Sequence, residues 1–150
     1  MNPPRNAIPK EPPCARTAVE HGAQPAPRAA LVFLAHGSRD PLWSGFLDAV
    51  IERASAQNSE ACIRKAFLES MAPSLLDEVD ALTAQGVCRV VIVPLFLGSG
   101  RHVREDVPAV VAALRARHPS LEIDLRPSAG EDPAVLELLA RLGLEALGAR

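Results

Sequence analysis

From Ala29 onward the apolar positions fall into two alternating kinds of run. Short stretches at 30–35, 63–68, 89–97 and 121–125 have the length and β-branched content of strands. Between and after them, apolar residues recur at helical spacing over 42–56, 73–85, about 105–118, and 133–147. The chain therefore reads as strand then helix, four times over. Asp40-Pro41, Ala72-Pro73 and Asp132-Pro133 mark helix starts, because proline fits the first helical turn and aspartate caps exposed backbone N–H groups. Gly86 is placed to end the second helix. Strands joined through single helices favour an α/β fold, a parallel sheet with right-handed crossovers and helices on both faces. For four strands the common order is 2-1-3-4.

With 150 residues and 48% apolar content, the chain supports one ordinary core and not two. That core starts near Ala29. Residues 1–28 hold Pro3, Pro4, Pro9, Pro12, Pro13, Pro25 and Pro27 among small and charged residues, without an apolar period that could offset the entropy of ordering. They are expected to form a disordered tail, and they lack the continuous apolar run of a secretory signal. The longest apolar run, from Val90 to Leu97, is far short of the roughly 20 residues a membrane-spanning helix needs. A formal charge of −2 gives no basic field for nucleic acid. Cys14, Cys62 and Cys88 are odd in number and lack C-x-x-C spacing, which argues against a disulfide framework or a closed zinc site and fits a reducing cytoplasm. Cys62 and Cys88 are expected to pack as small core residues.

In an open parallel sheet, ligands bind outside the carboxyl ends of the strands, where the strand order reverses. With the order 2-1-3-4 the exits of the first and third strands lie side by side, and the second strand's exit is next to the first. The first exit reads Ala35-His36-Gly37-Ser38-Arg39, with a glycine that turns the backbone and leaves the imidazole of His36 at the edge. The third reads Phe96-Leu97-Gly98-Ser99-Gly100-Arg101-His102, a glycine-bearing loop that presents His102 at the same edge. The second strand ends in the acid Glu69. Two imidazoles and a carboxylate suit a borderline divalent ion such as cobalt, iron, nickel or zinc, and leave coordination positions open for a substrate. His21 lies in the tail, and His118 ends a helix, where it favours the helix carbonyls. Gly98-Ser99-Gly100 lacks the Lys-Ser/Thr ending of a phosphate loop, and Gly37-Ser38-Arg39 is not a hydrolase nucleophile elbow.

The segments LVFLAHGSRDP, AFLESMAPSLLDEVDAL and VVIVPLFLGSGRHVREDVP resemble the single-domain sirohydrochlorin chelatases, small relatives of the two-domain class II cobaltochelatases and ferrochelatases. The likeness runs from about Ala29 to Leu147. It implies a chelatase-like (flavodoxin-like) fold over residues 29–150, equivalent to half of a two-domain class II enzyme. It further implies insertion of Co²⁺ or Fe²⁺, with Ni²⁺ also admitted by the donor set, into the tetrapyrrole sirohydrochlorin in cobalamin or siroheme biosynthesis. His36 and His102 then hold the metal, with Glu69 as a third ligand or proton relay. Ser38, Arg39, Gly98, Ser99, Gly100, Arg101 and Arg104 become contacts to the tetrapyrrole, the arginines meeting its carboxylates through charge-assisted hydrogen bonds. No organic cofactor is expected. One copy of the unit predicts a homodimer whose copies face across a shared cleft. Two rival readings stand: a metal or tetrapyrrole carrier without turnover, and a flavodoxin-like phosphate or nucleotide binder using Gly98 to Gly100.

Overall fold

The computed structural model describes residues 29–98 and 100–148, and of His102 the backbone alone. The tail expected over 1–28, with Cys14 and His21, and the substrate contact expected at Ser99 lie outside the described residues. Strands β1 (Ala29–Ala35), β2 (Cys62–Phe67), β3 (Arg89–Pro94) and β4 (Glu122–Leu125) form one sheet in the order β2-β1-β3-β4. Every pairing is parallel. The arrangement inferred from the alternation is the one observed, and the exits of β1 and β3 lie together.

Alternation along the strands decides which face each side chain serves. Ala30, Val32, Leu34, Val90 and Ile92 point to one face and are buried there. Helix α2 (Leu75–Ala84) and helix α3 (Arg101–Arg117) close this core with Val79, Leu82, Val107, Val111 and Leu114. On the opposite face α1 (Gly45–Gln57) packs over β1 and β2, with Leu47 buried against Ala35 and Phe67. Helix α4 (Pro133–Ala146) behaves differently, for its main contact is the 3-10 turn Ala129–Glu131 just before it. Among the described residues, no helix is long and apolar enough to cross a membrane.

Several boundaries differ from the sequence reading, each for a local reason. Leucine 42 does not begin an α-helix: Asp40 Oδ1 accepts from the Leu42 N–H at 2.9 Å and starts a 3-10 turn over Pro41–Ser44, after which α1 begins at Gly45. Proline 73 lies outside α2, after a cis peptide bond, and Ser74 is the cap, its Oγ accepting from the Asp77 N–H at 3.2 Å. The third strand stops at Pro94 instead of Leu97, and α3 starts at Arg101 instead of near Glu105. His102 is therefore in the first turn of a helix and not in a loop. Gly86 ends α2 as expected: at φ +89° it lets its own N–H reach Thr83 O at 3.0 Å and the Val87 N–H reach Leu82 O at 3.1 Å. His118 does cap α3, but its ring bonds a carboxylate and not helix carbonyls. Nε2 lies 2.6 Å from Asp80 Oδ1, while Arg117 Nη2 lies 3.1 Å from Asp80 Oδ2, tying α3 to α2. Cys62 is half-buried against the main core, Cys88 is also half-buried, and neither forms a disulfide.

Candidate metal centre

The carboxyl edge of the sheet is held together by backbone hydrogen bonds that continue past the strands. Leu68 N–H donates to Ala35 O and Glu69 N–H to His36 O, both at 2.9 Å, so the loops after β1 and β2 run side by side. Leu95 N–H donates to Leu34 O at 2.8 Å and Arg126 N–H to Ile92 O at 2.9 Å, fastening the exits of β3 and β4 in the same way. His36 and Glu69, assigned to one site from sequence, are thus neighbours through their backbones. Gly37 makes this closeness possible. Its φ is +92°, and a Cβ there would overlap the carbonyl oxygen of Glu69.

The ring of His36 is half-buried and rests on Phe96, with centroids 4.7 Å apart and planes tilted by 54°. Phe96 is itself buried in the core beneath α3, so it fixes one side of the imidazole and leaves the other to the edge. The sequence reading passed over Phe96; its signal was an aromatic two residues beyond the last β3 residue, at the exit facing His36. Glu69 is exposed and begins a tight turn in which Met71 N–H donates to Glu69 O at 2.8 Å and Ser70 takes φ +61°. Glu69 is therefore open to solvent on a loop that runs beside that of His36. Among the described residues no group of three or more His, Cys, Asp or Glu side chains gathers closely enough to hold a metal. The third donor expected from sequence, the His102 ring, lies outside the described residues. Its backbone stands in the first turn of α3, which the chain reaches from β3 through residues 95–100.

The remaining residues expected at the site are spread around this edge. Ser38 Oγ accepts from the Asp40 N–H at 3.1 Å, so it shapes its own loop and keeps its proton free to donate. Arg39, Arg101 and Arg104 are exposed and form no ion pair among the described residues. Gly98 and Gly100 have open space where a side chain would stand, and Gly100 gives α3 no side-chain cap. On the α3 side of Phe96 two hollows of about 320 Å³ each share Phe96, Arg104, Ser128 and Glu131 as walls. Of the residues expected at the site, Arg104 alone lines these hollows, while His36, Glu69, Arg39 and Arg101 lie outside their walls.

A parallel sheet in the order 2-1-3-4, with His36 and Glu69 on adjoining loops at its carboxyl edge, fits a chelatase-type α/β protein. The match to the CbiX family model covers residues 30–146, and the chain belongs to the CbiX family. It is 26% identical over 97 residues to a sirohydrochlorin cobaltochelatase of Methanosarcina barkeri, covering 65% of this chain and 75% of that one. It is 28% identical over 110 residues to a sirohydrochlorin ferrochelatase of Priestia megaterium, covering 73% of this chain but only 41% of the relative. Among solved structures, a CbiX protein of Marinobacter aquaeolei VT8 superposes with a TM-score of 0.70 at 33% identity, over 81% of this chain and 99% of that one. The sirohydrochlorin chelatase SirB of Bacillus subtilis subspecies spizizenii, in complex with cobalt, gives a TM-score of 0.65 at 27% identity, over 76% of this chain and 49% of SirB. The chain thus spans about half the length of SirB and less than half of the Priestia enzyme.

Proposed function

We propose that this chain inserts a divalent metal, Co²⁺ or Fe²⁺, into sirohydrochlorin, with His36, Glu69 and His102 as the metal-handling set. The reading is carried by the match to the CbiX family model over residues 30–146, and the backbone bond from Glu69 N–H to His36 O supports it by running the loops that bear these two residues side by side. It is supported by relatives named for both cobalt and iron insertion. Ni²⁺ ranks with the same donors and belongs to the proposal as an accepted ion.

Insertion must strip water from the ion, open the macrocycle nitrogens to it and take up two pyrrole protons. Neutral imidazole suits the first and last tasks: it binds a partly dehydrated borderline ion, and on releasing it becomes a base for a proton near neutral pH. Phe96 packs against the His36 ring and steadies it. Glu69 offsets the charge of the ion or passes a proton to solvent. Arg39, Arg101 and Arg104, without an ion pair among the described residues, meet the carboxylates of the macrocycle, with Ser38, Gly98, Ser99 and Gly100 as further contacts. No organic cofactor enters this scheme.

Hollows of about 320 Å³ sit at the small end of ligand-sized cavities, so the macrocycle lies across this edge and not inside the chain. Its other side is covered by a second copy, the two facing each other across one cleft. The paired copies work in the cytoplasm, consistent with Cys62 and Cys88 outside any disulfide. The test is a timed absorbance spectrum of sirohydrochlorin with Co²⁺ or Fe²⁺, comparing the unaltered chain with His36→Ala and His102→Ala. Loss of metallated product in both variants, with unchanged circular dichroism, is expected. Turnover retained by both removes the imidazoles from the mechanism, and binding without product by the unaltered chain makes it a carrier.

A further inference from the structure

Between the first turns of α3 and the exit of β4 lies a hollow of about 320 Å³. Phe96, on which the His36 ring rests with centroids 4.7 Å apart, is one of its walls, and His36 is not. Its lining is mainly apolar, with Pro94, Val107, Leu125 and Pro127, while its guanidinium groups come from two different elements, Arg104 of α3 and Arg126 just past β4. One carboxylate, that of Glu131, also stands at the wall. Arg104 forms no ion pair among the described residues. Arg126 Nη1 is 3.9 Å from Asp124 Oδ2, the outer limit of an ion pair, and that oxygen is already met by Arg89 Nη2 at 3.4 Å. Both guanidinium groups are exposed and have capacity for an anion.

The walls are set before any ligand arrives. Arg126 N–H donates to Ile92 O at 2.9 Å and Gly130 N–H to Phe96 O at 2.8 Å, so the segment after β4 is fastened to the one after β3 at two points. Gly130 packs so tightly on the Leu97 carbonyl that a Cβ would overlap it. Pro127, between these anchors, has its φ fixed by its own ring. A recess already ordered loses little entropy when it is filled. Its size admits a side arm of a tetrapyrrole and not the macrocycle.

We propose that this hollow takes one carboxylate-bearing side arm of the tetrapyrrole, its methylenes on the apolar lining and its carboxylate between Arg104 and Arg126, and that Arg126 thereby selects macrocycles that keep such an arm. The inference rests on the sirohydrochlorin reading above and adds a specificity-determining residue to it. Side arms hang from the periphery of a macrocycle, outside the nitrogens that take the metal, so a recess for one belongs a short way off from a metal-bearing imidazole. The phenyl ring of Phe96 supplies that spacing. A carboxylate entering an apolar recess loses water, and charge-assisted hydrogen bonds from guanidinium groups offset the loss. An arm without its charge gains nothing from them and leaves them unpaired, which is how a polar pocket discriminates most strongly. Arg126 stands at the exit of β4, outside the loops that carry the contacts expected from sequence.

The experiment measures binding of metal-free sirohydrochlorin and of its methyl ester, in the same dilute detergent, by quenching of Trp43, the sole tryptophan of the chain. It compares the full unaltered chain with Arg126→Gln, Arg126→Lys and Arg53→Gln. The last makes the same change in net charge on α1, where Arg53 bonds only the Ala49 carbonyl of its own helix among the described residues. Arg126→Gln should weaken binding of the acid by about tenfold or more and of the ester by less than about twofold, with part of the loss recovered in Arg126→Lys. Arg53→Gln should change neither. Unchanged affinity in Arg126→Gln, an equal loss for acid and ester, an equal loss in Arg53→Gln, or no binding by the unaltered chain each overturns the proposal. In metal insertion the same contact predicts a raised KM in Arg126→Gln with kcat retained. Binding that follows the expected pattern without metallated product sinks the proposed function and leaves the arm recess standing; product formed by Arg126→Gln at an unchanged KM does the reverse.

Discussion

Replacing Gly37 by alanine adds one methyl group at the most constrained point of the site. At φ +92° any residue with a Cβ holds a sparsely populated conformation, at a cost of about 1–3 kcal/mol. The new methyl would also overlap the Glu69 carbonyl oxygen, so the loop after β2 must move away. That movement breaks the 2.9 Å bond from Glu69 N–H to His36 O, a further loss of about 1 kcal/mol. Together the variant should lose about 2–4 kcal/mol, which for a urea slope of roughly 2 kcal/mol per molar lowers the unfolding midpoint by about 1–2 M. The control is Gly98→Ala, where open space surrounds the added methyl and the change should stay within about 0.5 kcal/mol. Urea titrations followed by far-ultraviolet circular dichroism give both midpoints, and metal insertion is measured where each protein is folded. Equal midpoints for the two variants would refute the claim that Gly37 is what lets the two loops close.

Three other outcomes follow from the same contacts. Glu69→Gln keeps the size and backbone bond of Glu69 but removes its charge, so insertion should slow at least tenfold with an unchanged urea midpoint; an unchanged rate excludes the carboxylate from metal handling. Burial raises the Glu78 carboxyl above its ordinary 4.5, with Arg64 pulling the other way, so the native state holds this proton more tightly than the unfolded chain. That contribution is fully present below 4.5 and is lost as pH rises through the raised value, so Glu78→Gln should be stabilised relative to the unaltered chain on the neutral side and not on the acid side; parallel stability profiles would show otherwise. Leu82→Ala, at a side chain with no exposure between α2 and the sheet, should cost about 2–5 kcal/mol by thermal or urea unfolding, and a cost below 1 kcal/mol would mean that the core refills the space.

Short apolar runs for the strands, and proline near helix starts, were enough to give the sheet and its order. The start of α3 was misplaced because glycines and an arginine look like loop, yet the stripe of Val103, Val107, Val111 and Leu114, all buried, begins a turn earlier than the sequence reading allowed. Ser74 was overlooked beside the more conspicuous Pro73, although serine with an acid three residues on is a capping pattern: Ser74 Oγ also donates to Asp77 Oδ2 at 2.6 Å. The bond between His118 and Asp80 spans 38 residues, and no local pattern encodes it. The same holds for the bare face of α4, since helical amphipathicity shows that one side seeks cover and not what provides it. That the loops bearing His36 and Glu69 adjoin was legible because strand order alone brings their exits together.

The hydrogen bonds that run on past the strand ends make the rim of the sheet a fixed gauge and not a closing hand. Chain segments already ordered before an ion arrives lose little entropy in receiving it, and they tighten little around it afterwards. Amide exchange at Leu68, Glu69 and Leu95 should therefore be slow with or without bound cobalt. For the proposed function such stiffness is an advantage, since an ion held by few donors on an already ordered rim is readily surrendered to a stronger, four-nitrogen host.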